Sequence, residues 1–394
     1  MRIDPSWLAL NAPDFGPYAR LDPQRSISFL GADPFAPRAV LPAHVIDAVK
    51  DALDAGRTHY SVGNGFMEPT LKDSLVRKLA SFNGMDVDPE TELIVVPSAA
   101  FGLYMSIRMC VRPNRGDEVL NVDPGFAENF NDVQQIGATS VSVPVYAEDG
   151  YQLRADEVER AITPRTRCIV LTNPNNPTGT VYSRATLEAL AKVVERHDLM
   201  VIVDQAFERQ VYDGREYVDF ATLPGMWERT VTIFGTSKDL GLSGFRVAYI
   251  AARKEIVDVL KLATFNMHGA TNTFAQYGVA AAYDNPAYAD AWVEVFRQRR
   301  AYGQRVLDGI DGVNCPLPDG GFYFWADVGA LGTAEFVRDH LIDDAQVGVL
   351  PGTMFGTRGS NHLRIMYGAA PDEATFTEGI DRIARSLSGL ERVK

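Results

Sequence analysis

Cysteine is scarce in this sequence, with three residues in a chain of 394. Cys110, Cys168 and Cys315 lie far apart and form no C-x-x-C pair, so the sequence predicts neither a disulfide framework nor a zinc site. Cys168 belongs to the apolar run Cys-Ile-Val-Leu and is predicted to be a buried, small hydrophobic residue. The six histidines also lack metal-ligand spacing, and no metal role is predicted.

Long apolar runs and an excess of positive charge are missing as well. No apolar stretch approaches the ~20 residues that a helix needs to span a bilayer. The first residues, Met-Arg-Ile-Asp-Pro-Ser, do not resemble a signal peptide. The formal net charge of −13 disfavours nucleic-acid binding, because neutralising phosphates requires clustered Lys and Arg. We therefore expect a cytoplasmic protein that binds neither membranes nor nucleic acids.

The length and the order of apolar segments predict two domains. A chain of 394 residues exceeds what one hydrophobic core organises. Residues 1–40 are rich in Pro, Asp and Gly and are predicted to form an irregular arm. From about residue 70, continuous apolar strands alternate with helices, one of them at 183–196, which indicates a parallel sheet covered on both faces. After a long predicted helix at 274–310, the tail favours a smaller α+β domain.

A lysine in a run of small residues is the strongest local signal. Lys238 follows an apolar strand within Thr236-Ser237-Lys238-Asp239-Leu240-Gly241-Leu242-Ser243-Gly244-Phe245-Arg246. Small residues let a bulky cofactor approach the backbone, and a lysine amine can form an imine with a carbonyl. Arg246, eight residues on, offers a fixed fork suited to a phosphate dianion. The alternative is an exposed lysine in a glycine-rich turn.

Two further polar signals follow neighbouring apolar strands. The loop Asn173-Pro174-Asn175-Asn176-Pro177-Thr178-Gly179 comes directly after the strand that ends at Leu171, where an open parallel sheet binds ligands. Asp204 closes the run Met200-Val201-Ile202-Val203, and a buried carboxylate there needs a partner such as a protonated ring nitrogen. Taken singly, the loop is equally a structural turn and the aspartate a helix cap.

Together these motifs resemble the fold-type I enzymes that use pyridoxal 5′-phosphate (PLP), in the class I/II aminotransferase (aspartate aminotransferase) superfamily. The segments Gly320-Gly321-Phe322-Tyr323-Phe324-Trp325 and His362-Leu363-Arg364-Ile365 match the same pattern. The resemblance covers nearly the whole chain. It implies an α/β fold with a large PLP-binding domain at 41–300, whose mostly parallel, seven-stranded sheet lies between helices. It also implies a smaller α+β domain at 301–394, joined by the N-terminal arm at 1–40.

The resemblance assigns a role to each matching residue. Lys238 would hold PLP as a Schiff base and move the proton between the substrate Cα and the cofactor. Asp204 would pair with the pyridine nitrogen and Asn176 with the ring 3′-oxygen. Phe126 would stack on the ring, and Arg364 would bind the substrate α-carboxylate through two hydrogen bonds.

Further residues are implied around the phosphate and the substrate. The backbone amides of Ala99 and Ala100 would hold phosphate at a helix N-terminus, with Arg246 and the hydroxyl of either Thr236 or Ser237. Tyr60 would serve the phosphate of the neighbouring subunit, which implies a homodimer with shared active sites. Gly31 would lie close to the substrate.

Three positions depart from the family pattern. Phe207 stands where the family has a tyrosine that donates a hydrogen bond to the 3′-oxygen, and Gly235 replaces a phosphate-binding serine. The loop Pro97-Ser98-Ala99-Ala100-Phe101 replaces a usual Gly-Ala or Gly-Ser pair. The departure at Phe207 predicts that PLP bound to this protein titrates differently from PLP in ordinary aminotransferases.

The predicted function is transfer of an amino group between an α-amino acid and a 2-oxo acid. The alternative is a PLP-dependent lyase, cyclase or oxidase of secondary-metabolite biosynthesis, since the lysine segment is also similar to 1-aminocyclopropane-1-carboxylate synthases and Asp-x-Ala-Phe resembles capreomycidine synthases. A PLP-sensing transcription factor is disfavoured, because the roughly 40 residues before the first predicted helix are too few for a DNA-binding domain of at least ~50. A nicotinamide dehydrogenase is disfavoured because Gly63-Asn64-Gly65 lacks the third glycine of the dinucleotide fingerprint. The side chain of the substrate stays open.

Overall fold

The computed structural model describes residues 14–37, 40–61 and 63–392 of the chain. Its strands, numbered in chain order, are Ile27–Ser28 (β1), Leu93–Val96 (β2), Glu118–Asp123 (β3), Thr139–Pro144 (β4), Thr166–Thr172 (β5), Met200–Gln205 (β6), Thr230–Gly235 (β7), Ala248–Ala251 (β8), Phe324–Asp327 (β9), Val347–Gly348 (β10), Leu350–Pro351 (β11) and His362–Ile365 (β12).

The α-helices lie mainly between these strands. They are Ala43–Asp54 (α1), Pro69–Lys78 (α2), Ala99–Cys110 (α3), Ala127–Ile136 (α4), Ala155–Ala161 (α5), Arg184–Arg196 (α6), Thr236–Asp239 (α7), Lys254–Met267 (α8), Thr273–Asp284 (α9), Ala287–Asp308 (α10), Ala334–His340 (α11) and Glu373–Leu387 (α12). Within these described residues, no helix combines the length and apolarity that crossing a membrane requires.

The largest sheet has seven strands in the order β2-β8-β7-β6-β5-β3-β4. Its central pairs are parallel, and β8 alone runs against its neighbours β2 and β7. Successive residues of β5 point to opposite faces: Cys168 and Val170 join one hydrophobic cluster, and Ile169 and Leu171 join another. Both faces are therefore covered, which explains why the strands are continuously apolar and confirms the predicted mostly parallel sheet.

The helix predicted over 274–310 is wrong as a single element. The structure has two helices there, α9 and α10, separated at Asn285 and Pro286. Proline has no backbone N–H and disfavours helical backbone in the residue before it, so one continuous helix is broken at this point. The helix predicted at 183–196 is confirmed as α6, which begins where Ser183 accepts a hydrogen bond from the backbone N–H of Thr186.

The C-terminal part of the chain forms a small antiparallel sheet in the order β11-β12-β9. The arm joins this region, because β1 pairs in parallel with β10 and Phe29 packs in the same hydrophobic cluster as Phe324 and Ile380. Helix α10 runs through the predicted boundary between residues 300 and 301. The division into domains at 1–40, 41–300 and 301–394 stays a prediction.

Candidate active site

Six strands of the large sheet have their carboxyl ends at one edge. Strands β3, β4, β5, β6 and β7 are parallel, and β2 runs with β7 because both are antiparallel to β8. At this edge lies a cavity of about 310 Å³. Most of the predicted site residues line it: Ala99, Ala100, Phe126, Asn176, Asp204, Phe207, Ser237, Lys238, Arg246 and Arg364. Segments far apart in the sequence thus converge on one space, as expected at the carboxyl edge of a parallel sheet.

Lys238 lies in the short helix α7, directly after β7. Its side chain is partly buried, and its Nζ is 3.7 Å from a carboxylate oxygen of Asp33. Burial lowers the pKa of Lys238, although Asp33 opposes that effect. A lowered pKa leaves more of the amine neutral, which is the form that adds to a carbonyl.

Asp204 presents a buried carboxylate oxygen without a partner. It lies near the end of β6 and is 5% exposed, and its Oδ1 accepts no hydrogen bond from the described residues. Burial raises the pKa of Asp204 to about 7, and the nearby Glu128 contributes to the rise. A buried carboxylate is stabilised by a cationic hydrogen-bond donor, so this oxygen fits the protonated ring nitrogen of PLP.

Arg364 is a buried cation on β12. Its Nη1 donates to Oδ1 of Asn176 at 3.0 Å, and its guanidinium lies 4.5 Å from the centre of the Phe355 ring. Among the described residues no carboxylate lies within 4.0 Å of it, and its Nε has no hydrogen-bond partner. Burial lowers the pKa of Arg364 to about 10. Such an arginine can accept an anionic ligand through two hydrogen bonds.

The lining of the cavity also includes hydrogen-bond donors that suit a phosphate. Ala99 and Ala100 open α3, where Ser98 accepts a hydrogen bond from the N–H of Phe101 at 3.0 Å. The first N–H groups of a helix have no acceptor within it and favour an anion. Arg246 also lines this cavity and is exposed in the single chain.

The structure separates the two hydroxyls between which the sequence left a choice. Ser237 lines the cavity, whereas Thr236 does not, and the Thr236 hydroxyl donates to the carbonyl of Val247 at 2.6 Å. Two other predicted residues, Gly31 and Tyr60, lie outside the lining residues and are exposed. Ala32, next to Gly31, does line the cavity.

Aromatic rings close the cavity. Phe126 directly precedes α4, and Phe207 is buried with its ring edge-on to Phe322 and Tyr323 at centroid distances of 5.3 and 5.2 Å. Phe207 has no group that can donate a hydrogen bond to a ligand. Asn176 is thus the ring-oxygen donor proposed for this site, without the second donor that a tyrosine would give.

Sequence reasoning missed two carboxylates at this site. Glu128 lines the cavity from the first turn of α4, and Asp33 approaches Lys238. The only signal for Glu128 was its position two residues after Phe126. Nothing in the pattern around Asp33 pointed to Lys238, because that contact joins the arm to a distant strand end.

A buried polar network lies behind Asp204. The next residue, Gln205, donates to Asp219 at 2.5 Å, and Asn83 donates to Asp219 and to Glu208 at 3.0 and 2.8 Å. Lys78 forms a buried ion pair with Glu208. These contacts fix the turn that follows β6 and so hold Asp204 and Phe207 in place.

The comparisons with known proteins agree with this geometry. The sequence pattern of the family described as "Aminotransferase class I and II" matches residues 33–383. Aromatic-amino-acid aminotransferase 2 of Thermococcus litoralis is 35% identical over 356 residues, which are 88% of each chain. The arginine–pyruvate transaminase of Pseudomonas aeruginosa is 33% identical over 353 residues, 89% of this chain and 87% of the relative.

A solved structure extends the likeness to the whole fold. The aspartate aminotransferase from Rhizobium meliloti superimposes with a TM-score of 0.90 at 28% sequence identity, covering 99% of this chain and 100% of the other. The family pattern spans most of the chain, and the relatives exceed 30% identity over most of its length. The chain therefore belongs to the class I and II aminotransferases, which are PLP-dependent transferases.

Proposed function

We propose that this aminotransferase binds PLP and its amino acid substrate in the cavity around Lys238, Asp204 and Arg364. The observation that carries the proposal is that an unpaired anionic group and an unpaired cationic group line the same cavity. Asp204 has a buried carboxylate oxygen without a donor, and Arg364 is a buried cation without a carboxylate. PLP with an α-amino acid supplies both a ring N–H and a carboxylate.

Each residue then has a defined task. PLP, when bound, supplies the carbonyl that takes up the amino group and a ring that withdraws electrons. Asp204 keeps the ring nitrogen protonated, because an adjacent anion raises the pKa of that nitrogen. Arg364 binds the α-carboxylate and so orients the substrate Cα, from which the Lys238 amine removes the proton. The 2-oxo acid accepts the amino group in the reverse half of the reaction.

The phosphate would be held by Arg246, Ser237 and the amides of Ala99 and Ala100. All four residues line the cavity, and Ala99 and Ala100 are the first residues of α3. The helix N-terminus and the guanidinium both favour a dianion. Thr236 contributes through packing, since its hydroxyl is already bonded to a backbone carbonyl.

Absorbance of the purified protein with PLP tests this assignment. We expect wild type to show a visible band that is lost in Lys238→Ala and kept in the control Lys192→Ala, an exposed lysine on α6. A single turnover with an amino acid alone should convert the cofactor stoichiometrically to its pyridoxamine form, and a 2-oxo acid should restore it. Release of ammonia or of an eliminated group without any 2-oxo acid would instead indicate a lyase.

We also infer a homodimer with shared active sites in the cytoplasm. Tyr60 lies outside the cavity of its own chain and is 78% exposed, which suits a role in a neighbouring subunit. Four apolar residues of α8 are more than half exposed and suit a subunit contact: Val259, Leu262, Phe265 and Met267. The three cysteines are unpaired, as is usual for proteins of a reducing compartment.

A further inference from the structure

Glu128 places an unpaired negative charge in the substrate cavity. It is the second residue of α4, it is half-buried, and it lines the same cavity as Lys238 and Arg364. Over the described part of the chain, no Lys, Arg or His nitrogen lies within 4.0 Å of its carboxylate. Burial raises the pKa of Glu128, and a hydrogen bond from its own backbone N–H and the charges of Arg364 and Lys238 partly counteract this rise. The carboxylate is thus desolvated and lacks a counterion of its own.

The basic groups of the cavity are all engaged. Those that line it are Lys238, Arg246 and Arg364. In the proposed function they serve the cofactor carbonyl, its phosphate and the substrate α-carboxylate. None of the other lining residues is basic, so the described part of the chain places no further cation in the cavity lining for a second carboxylate on the substrate.

Two further carboxylates lie near Glu128. Asp132 lies one turn further along α4, with its Oδ2 unpartnered, and Asp204 feels the charge of Glu128. Asp33 lies 3.7 Å from Lys238. The charged neighbours of Glu128 thus include two carboxylates, and none of the described cations lies within 4.0 Å of it. A substrate carboxylate there would meet like charges, whereas a guanidinium or ammonium would meet an unpaired anion.

We propose that Glu128 determines substrate specificity by binding the cationic end group of the amino-donor side chain. The inference rests on the proposed function, because Arg364 must hold the α-carboxylate for the side chain to lie in the cavity. It narrows the donors to amino acids that carry a guanidinium or an ammonium group. Amino acids with a second carboxylate should be poor donors.

Three donors that differ in the charge of the side chain test the proposal: L-arginine, L-norleucine and L-glutamate, each with pyruvate as acceptor. In the PLP-loaded wild type we expect kcat/KM to be highest for arginine and lowest for glutamate. Glu128→Gln should lower kcat/KM for arginine about 10- to 100-fold, the range expected from loss of a charge-assisted hydrogen bond. The same variant should raise kcat/KM for glutamate and leave norleucine nearly unchanged. Glu128→Lys should reverse the preference between arginine and glutamate.

Glu255→Gln is the matched control. Glu255 is also the second residue of a helix, α8, but it is 73% exposed and lies outside the cavity. Glu255→Gln should leave kcat/KM for all three donors unchanged. A binding readout separates recognition from turnover: calorimetry on PLP-loaded Lys238→Ala should show that adding Glu128→Gln weakens arginine binding and spares norleucine.

The outcomes distinguish failure of this proposal from failure of the proposed aminotransferase function. If wild type transfers no amino group from any donor, the proposed function fails. If it transfers amino groups but prefers glutamate, the inference is wrong. If Glu128→Gln lowers kcat/KM for all three donors by one common factor, Glu128 has only a structural role and the inference is also wrong.

Discussion

Phe207 places a ring without a hydrogen-bond donor in the cavity, at the position where the resemblance in sequence predicts a tyrosine. Its buried ring lines the cavity and packs edge-on against two aromatic rings, so its position is fixed. We expect Phe207→Tyr to place a donor near the ring oxygen of PLP. A hydrogen bond to an anionic oxygen favours the deprotonated form. The pH midpoint of the absorbance change of the PLP-loaded protein should therefore fall by about one unit.

The measurement is a spectral pH titration of wild type and Phe207→Tyr with PLP bound. Phe101→Tyr serves as the control, because Phe101 follows Ala99 and Ala100 in α3 but does not line the cavity. Equal midpoints in wild type and Phe207→Tyr would show that the missing hydroxyl has no influence on the bound cofactor.

Single residues divide sharply into those that sequence could predict and those that it could not. Lys238, Asp204 and Asn176 were predictable because each follows directly on an apolar strand, and strand ends meet at one edge of a parallel sheet. Glu128 was not, since the face that a helix turns toward a cavity depends on how the helix packs on the sheet. The choice between Thr236 and Ser237 likewise depended on the distant carbonyl of Val247.

Helix α4 carries a second test, through the titration of Asp132. Burial, with a smaller contribution from Glu128, raises the pKa of Asp132 to about 7. A raised pKa means that the charged carboxylate destabilises the folded state. The penalty is absent below the unfolded pKa, near 4, and grows until the pH passes the folded value. We expect Asp132→Asn to stabilise the protein at pH 8 by at most about 4 kcal/mol, and hardly at all at pH 4.

Denaturant unfolding of wild type and Asp132→Asn across this pH range measures the effect. Asp54→Asn is a suitable control, because Asp54 ends α1 with an exposed side chain. We expect the free energy of unfolding of Asp132→Asn, relative to wild type, to rise with pH between about 4 and 7. Asp54→Asn should show no such rise. A gain independent of pH would mean that the substitution acts through packing.

Elements of the large sheet were predictable for a physical reason. Strands buried on both faces must be apolar throughout, and such runs stand out against the amphipathic helices between them. The short strands of the C-terminal region give a weaker signal, since Val347–Gly348 and Leu350–Pro351 have two residues each and pair with different partners. The break between α9 and α10 was missed because helical periodicity resumes immediately after Pro286.

In the single chain, one helix exposes apolar residues to solvent. The four exposed apolar residues of α8, Val259, Leu262, Phe265 and Met267, present a patch of the kind that subunit contacts bury. Tyr60 lines an exposed surface cavity with His59 and Thr271, away from the lining of its own active site. If Tyr60 contacts the phosphate of the PLP bound to the partner subunit, a substitution of Tyr60 must weaken PLP binding in that partner subunit.

Mixed dimers of one Tyr60→Phe chain and one Lys238→Ala chain test whether Tyr60 acts in the partner subunit. Tyr60→Phe should weaken PLP binding because a hydroxyl donor to the phosphate is lost, and Lys238→Ala should abolish the visible band. In a mixed dimer, the chain that keeps Lys238 would receive an intact Tyr60 from its partner, so one site regains wild-type affinity for PLP. Co-expressed, differently tagged chains purified as the mixed dimer should therefore bind PLP more tightly at the Lys238 site than Tyr60→Phe alone. If Tyr60 acted within its own chain, that site would stay as weak as in the single variant, because its own hydroxyl would still be missing.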